Sequence, residues 1–281
     1  MSDESTPPAG TGTGTPDGPE PDELIYVVED AIATITLNRP QVRNAFTLTM
    51  IDRWADSLRA AEADPQVRVV VVTGAGGAFC SGIDLAVLSG IEPTPIARRR
   101  MLTEGVHKVA RAVLDLSKPL IAAVSGVAVG AGLDMALMCD MRFAARSARL
   151  SEGYIRIGLV PGDGGTYLLP RLVGPAKALE LLLSGDTVDG VEAERIGLVN
   201  RVYDDEAALL AETYAFARRL AGMSPISSAM IKKAVYQSQH LDLRTNLDLI
   251  ASHMAIVQST EDYAEARAAF GERRAPTFVN R

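Results

Sequence analysis

The sequence predicts an α/β fold with a helical C-terminal region, and three observations carry that expectation. Residues 67–74 (VRVVVVTG) and 120–126 (LIAAVSG) are short apolar runs rich in β-branched and small residues, the composition of strands buried on both faces. A helical stretch around residues 96–116 lies between them, which is the order of a parallel βαβ unit with a right-handed crossover. Beyond Arg201-Val202-Tyr203 almost every residue favours helix.

The elements follow in order. Residues 1–22 are Pro, Gly, Ser, Thr and acid with almost nothing to bury, so ordering them costs backbone entropy without compensation and a disordered tail is expected. From Glu23 or Leu24 the segments LIYVV and AIATITL alternate around a turn placed at Glu29-Asp30, the period of a two-stranded hairpin. Thr47 to Ala63 reads as an amphipathic helix, with Met50, Ile51, Trp54, Leu58 and Ala61 on one face and Thr47 as its cap. The C-terminal part divides into helices over 206–221, 225–239 and 242–270. This gives a core over residues 23–205 and a helical region over 206–281 suited to covering a site or a neighbouring subunit.

Composition excludes several function classes. The 281 residues carry 28 Lys+Arg against 35 Asp+Glu, a net charge of −7, and no basic run exceeds Arg98-Arg99-Arg100, so nucleic acid is not the expected partner. Cys80 and Cys139 build no disulfide framework, and neither stands at metal-ligand spacing from His107, His240 or His253, so a reducing compartment without structural metal is expected. No apolar run reaches the roughly 18 to 20 residues of a membrane span, and an acidic, polar N-terminus is the opposite of a signal peptide. A cytoplasmic protein is the resulting expectation.

Chemistry is expected where both buried strands end in small-residue turns. The first turn runs from Thr73 to Leu85 through Cys80-Ser81-Gly82-Ile83-Asp84, and the second from Gly126 to Asp134 through Gly130-Ala131-Gly132. Turns at the carboxyl ends of parallel strands bind ligands in open α/β folds, and small residues let backbone N–H groups approach an anion. Each turn taken alone also reads as a plain tight turn. Two of them can supply one N–H each to an oxyanion hole, with a helix starting at Ala131 adding positive potential.

At these residues the chain resembles the crotonase (enoyl-CoA hydratase/isomerase) superfamily. Leu37-Asn38-Arg39-Pro40 with Arg43-Asn44-Ala45-Phe46, Phe79 to Leu85, Ala123 to Asp140, Gly158 to Thr166, Pro170 to Gly174, and Ala269 to Arg274 follow the family pattern in order. The resemblance implies a crotonase-type core of repeated ββα units and a C-terminal region that forms a homotrimer or a dimer of trimers. It also implies an acyl-CoA substrate, with coenzyme A part of the substrate and no further cofactor or metal. The thioester oxygen would sit between the N–H groups of Ile83 and Ala131, with Arg43, Ser81, Gly82, Asp84, Gly130 and Arg273 around the coenzyme A and acyl moieties.

The chain departs from its relatives beside the reacting carbons. Hydratases of the family pair two glutamates; here those positions hold Asp134 and Tyr154. Asp134 lies three residues beyond Ala131, on the same helical face, while a tyrosine with an ordinary pKa of about 10 donates a proton at neutral pH and is no carboxylate base. Asp163, nine residues after Tyr154 in Pro161-Gly162-Asp163-Gly164-Gly165, completes the candidate catalytic set; its structural alternative is an Asx turn. The resemblance implies hydration or double-bond isomerisation of an enoyl-CoA through an enolate, with Asp134 as acid/base. Two alternatives stay open: hydrolytic carbon–carbon cleavage of a β-dicarbonyl by Tyr154 and Asp163, as in the β-diketone hydrolase branch, and a catalytically silent CoA-binding homologue. Cys80 is expected to be a small core residue, the histidines to lie on the surface or at interfaces, and Phe270 and Phe278 to pack.

Overall fold

The computed structural model describes residues 22–281; residues 1–21, nearly all of the segment read as a tail, lie outside the described residues. The hairpin forms as β1 (Leu24–Glu29) and β2 (Ile32–Leu37), paired antiparallel with Leu24 opposite Leu37. Its corner is one residue later than expected, at Asp30-Ala31, with φ of 50° and 62°. Two successive left-handed residues match the strand twist in a two-residue loop. Next, α1 (Leu48–Ala63) is capped by the Thr47 hydroxyl, which accepts from the Met50 N–H.

The two apolar runs become β3 (Val69–Gly74) and β4 (Leu120–Val124), both wholly buried. Between them lie α2 (Leu85–Ser89), α3 (Pro95–Arg100), a π-helical stretch over Met101–Val106, and α4 (His107–Asp115). The stretch expected as one helix is thus α-π-α, and π turns tend to mark functional positions.

The second turn differs from its expectation. A short strand, β5 (Val127–Val129), stands between Gly126 and α5 (Ala131–Leu137). Then come β6 (Met141–Ala145), β7 (Arg149–Ser151), a 3₁₀ turn over Gly153–Ile157, α6 (Gly165–Val173), α7 (Pro175–Ser184), β8 (Val188–Asp189), α8 (Gly190–Arg195) and β9 (Arg201–Tyr203). The main sheet has the order β1-β2-β3-β4-β6-β9, parallel from β2 onward, and β5-β7-β8 form a small second sheet.

The main sheet is covered on both faces, which explains the lack of polar alternation in β3 and β4. Val70 and Val72 point into a core shared with Trp54, Leu58 and Phe79, whereas Val69 and Val71 point into a second core with Ile121 and Phe143. That second core is closed by Leu209 and Ala217 of α9 (Glu206–Ala221). The first C-terminal helix therefore packs on the sheet itself. After it come α10 (Pro225–Ser238), α11 (Leu243–Gln258) and α12 (Glu261–Glu272). The segment expected as a single helix over 242–270 breaks at Ser259-Thr260, where the Thr260 hydroxyl caps α12 by accepting from the Tyr263 N–H. Phe270, expected to pack, is 88% exposed. Among the described residues no helix is long and apolar enough to cross a membrane.

Candidate active site

The two small-residue turns are laced to each other. The N–H groups of Phe79 and Cys80 both donate to the Val127 carbonyl, at 3.1 and 2.9 Å, and the Val129 N–H donates to the Cys80 carbonyl at 3.0 Å. A Cβ at Gly132 would collide with the Cys80 carbonyl, and one at Gly82 would press on the Val129 carbonyl, two residues before Ala131, at 3.1 Å. Glycine at these positions is what lets the start of α5 rest on the first turn. Gly82 itself has φ of +97° and Gly130 of +53°.

Among the described residues the N–H groups of Ile83 and Ala131 have no backbone acceptor. Phe46 bridges the first turn by donating to the Gly82 carbonyl at 2.8 Å and accepting from the Asp84 N–H at 2.9 Å. Ile83, between those two, therefore has its own N–H turned away from Phe46. Ala131 is the first residue of α5, so its N–H has no partner within the helix. Asn44, which the sequence reading passed over as a site residue, braces the turn: fully buried with φ of 56°, it donates through Nδ2 to the Ala75 and Ala78 carbonyls at 2.9 and 2.7 Å. Cys80 is the expected core residue, wholly buried with its thiol pushed up to about 12 by desolvation.

The three predicted catalytic side chains converge. The Tyr154 hydroxyl donates to Asp134 Oδ2 at 2.6 Å and stands 3.4 Å from Asp163 Oδ2, while the Asp163 N–H donates to the same Asp134 oxygen at 3.2 Å. Asp134 comes from α5, Tyr154 from the 3₁₀ turn, and Asp163 from the loop that leads into α6. The Tyr154 ring also packs over Gly130, 3.7 Å from where a Cβ would stand.

Two further residues belong to the cluster. Glu152, two positions before Tyr154, is 1% exposed, and neither of its carboxyl oxygens meets a hydrogen-bond donor among the described residues. His107, expected at the surface or an interface, starts α4 beside the cluster; its Nε2 lies 2.8 Å from the Gly162 carbonyl and 3.6 Å from Asp163 Oδ1. A carbonyl only accepts, so Nε2 carries a proton.

Burial sets the electrostatics of these acids. Desolvation raises Asp134 to about 7 against the pull of the Tyr154 hydroxyl and the N–H groups of Asp163 and Gly165. It raises Asp163 to about 6 despite His107, and Glu152 to about 9, where the neighbouring Asp134 charge adds to the effect. Tyr154 is driven well above its ordinary value, first by burial and then by the charge of Asp134. The phenol is therefore held as a proton donor, and burial pushes the Asp134 carboxyl up from the ordinary carboxylate range toward neutrality, where general acid–base catalysis is most effective.

The predicted coenzyme-contacting residues divide. Arg43 and Ser81 sit at the mouth of the first turn, the Ser81 N–H donating to the Arg43 carbonyl at 3.0 Å and its hydroxyl to the Val42 carbonyl at 3.1 Å. Asp84 is engaged in structure, capping α2 through the Ala86 N–H and pairing with Arg39 at 2.7 Å. Arg273 ends α12 in a left-handed conformation, and no hydrogen bond or ion pair joins it to the other predicted site residues.

Two strand-end amides without backbone acceptors among the described residues, with the buried Asp134 one helical turn beyond Ala131, are an arrangement that can hold an oxyanion and move a proton. The comparisons make the class specific. The family model described as enoyl-CoA hydratase/isomerase matches residues 28–281. The chain is 37% identical over 261 residues to 1,2-epoxyphenylacetyl-CoA isomerase of Escherichia coli K12, covering 92% of this chain and 98% of the relative. It is 33% identical to crotonyl-CoA hydratase of Syntrophomonas wolfei, covering 92% and 99%. Among solved structures it is similar to a putative enoyl-CoA hydratase of Streptomyces coelicolor A3(2), with a TM-score of 0.84, 36% identity and 99% and 100% coverage, and to an enoyl-CoA hydratase of Bacillus anthracis, with a TM-score of 0.88 and 31% identity over 92% and 100%. The chain belongs to the enoyl-CoA hydratase/isomerase family, the crotonase superfamily, and is a hydratase/isomerase-like enzyme.

Proposed function

We propose that this enzyme moves the double bond of an enoyl-CoA, using Asp134 as the one base that both removes and returns the proton. The observation that carries this reading is the short contact from the Tyr154 hydroxyl to Asp134 Oδ2, 2.6 Å: a non-ionising donor stands where a hydrating relative has its second carboxylate. In the forward step the Asp134 carboxylate takes a proton from C2 of a 3-enoyl-CoA. The C–H electron pair passes into the thioester carbonyl, and the resulting dienolate oxygen accepts from the N–H groups of Ile83 and Ala131. Asp134 then delivers the same proton to C4 and leaves the conjugated 2-enoyl thioester. Each preorganised donor is worth about 2.7–4 kcal/mol of barrier. Coenzyme A enters as part of the substrate, and the reaction requires no other cofactor.

The relative that is 37% identical is named an isomerase of an epoxyphenylacetyl-CoA, which supports an acyl-CoA isomerase in general, while the crotonyl-CoA hydratase relative makes hydration the competing outcome. The exposed apolar side chains Ile157, Val160, Leu183 and Ile231 support assembly into a homotrimer or a dimer of trimers, and a cytoplasmic location belongs to the same reading.

The test mixes purified protein separately with a 3-enoyl-CoA, with crotonyl-CoA and with a cyclic 1,3-diketone. Growth of conjugated-thioester absorbance from the 3-enoyl-CoA is expected, and Asp134→Asn should abolish it. Loss of that absorbance from crotonyl-CoA as the faster reaction would replace isomerisation by hydration. Opening of the diketone ring would replace it by hydrolytic cleavage. Thioester binding without turnover would leave a silent binding protein.

A further inference from the structure

The buried carboxyl of Glu152 has no role in the proton shuttle described above, yet it stands against the group that performs it. We propose that Glu152 is held as a neutral carboxylic acid whose Oε2–H donates to Asp134 Oδ1, making it the positioning residue that keeps Asp134 ionised and oriented. The assignment rests on Asp134 being the acid/base.

The geometry leads there by elimination. Asp134 Oδ2 is satisfied by the Tyr154 hydroxyl and the Asp163 N–H, but Oδ1 accepts no complete hydrogen bond, and both Glu152 oxygens are also without a donor. Asp134 Oδ1 and Glu152 Oε2 both lie within van der Waals distance of one point, the position a Cβ would take at Gly165 at the start of α6. Two carboxylates converging on one buried point cannot both be ionised, and a proton between them satisfies both oxygens at once. Among the described residues no cation pairs with Glu152: the titratable groups around it are Asp134 of α5, Tyr154 of the 3₁₀ turn and Asp163 of the following loop, and His107 of α4 meets Asp163 and the Gly162 carbonyl. Glu152 is the member that retains the proton, because the donors to Oδ2 favour the ionised form on Asp134 alone. Burial and the facing Asp134 charge both push the Glu152 carboxyl up, which is the direction this assignment requires.

The test uses the full chain and two variants. Glu152→Gln keeps a neutral donor of the same shape, and Glu152→Leu removes it. Infrared spectra of the free protein, with 13C-labelled glutamate for assignment, should show a buried carboxylic-acid carbonyl stretch at neutral pH that Glu152→Gln eliminates. In the pH profile of kcat, Glu152→Gln should keep the acid limb within about half a pH unit. Glu152→Leu should move it up by about one unit, a roughly tenfold loss below the limb that recovers at high pH, with KM unchanged. Absence of the glutamic-acid band at neutral pH would overturn the proposal, as would an unmoved limb in Glu152→Leu or equal damage from both variants. The infrared result needs no turnover, so it stands apart from any failure to isomerise an enoyl-CoA.

Discussion

Gly165 offers a steric test of the acid cluster. A Cβ built there would stand 2.8 Å from Glu152 Oε2 and nearer still to Asp134 Oδ1, against about 3.4 Å for the onset of ordinary contact. Its backbone is helical rather than left-handed, so the substitution Gly165→Ala introduces a collision without φ strain. Both opposing oxygens end buried side chains, and each already faces the other acid. Asp134 must therefore swing by about 1 Å, and a misplacement of that size costs about a hundredfold in rate; the overpacking itself costs about 1–3 kcal/mol of stability. The control is Gly162→Ala, three residues earlier, whose Cβ would meet only the Leu102 side chain, at an ordinary 3.5 and 3.7 Å. Steady-state isomerase kinetics and urea unfolding of the two variants check this. A Gly165→Ala enzyme within threefold of the parent rate, or one no more damaged than Gly162→Ala, would refute the convergence of Asp134 and Glu152 on α6.

Two further outcomes are expected. Tyr154→Phe removes a hydrogen bond to an ionised group, worth about 1.5–3 kcal/mol, and should move the acid limb that belongs to Asp134 up by about one to two pH units; a limb that stays in place would mean that the hydroxyl does not hold the carboxylate. Stability should also depend on pH with a definite sign. Asp134, Asp163 and Glu152 all have folded-state values above their ordinary ones, so the stability they contribute is complete below about pH 4 and is lost as pH rises through about 6 to 9, at up to about 1.4 kcal/mol per pH unit per group. Urea midpoints measured between pH 5 and pH 9 should fall, and fall less in Glu152→Gln; a parent midpoint that rises over that interval would contradict the buried-acid description.

Much of the architecture was legible because single elements carried their own signals. The uninterrupted valines of β3 could only belong to a strand covered twice, and Thr47 ahead of a 3.6-residue apolar period announced α1. The strands β5, β7 and β8, of two or three residues each, leave too short a pattern to read and exist only through their pairing. The break between α11 and α12 did have a signal, a Thr followed by Glu261 and Asp262 at a helix start, which the apolar periodicity on either side masked.

At the site, Asp134, Tyr154 and Asp163 were legible because they stand at positions that the resemblance to the crotonase superfamily marks. Glu152 was not, since a glutamate in the polar string Arg149-Leu150-Ser151-Glu152-Gly153 carries no mark of burial; only the folding of α6 over it removes it from water. His107 was missed for a related reason, because the partner that defines it, Gly162, is 55 residues away. The carboxylate of Asp84 is committed to Arg39 and to the cap of α2, and the Arg39 partner, 45 residues away, is likewise not marked in the sequence.

The most direct measurement of the whole scheme is a crystal structure of this enzyme with a slowly reacting acyl-CoA bound. The thioester oxygen is expected about 2.7–3.1 Å from both the Ile83 and the Ala131 nitrogens, with Asp134 Oδ2 facing C2 of the acyl chain. A thioester oxygen that meets neither amide, or an acyl chain that lies away from Asp134, would contradict it.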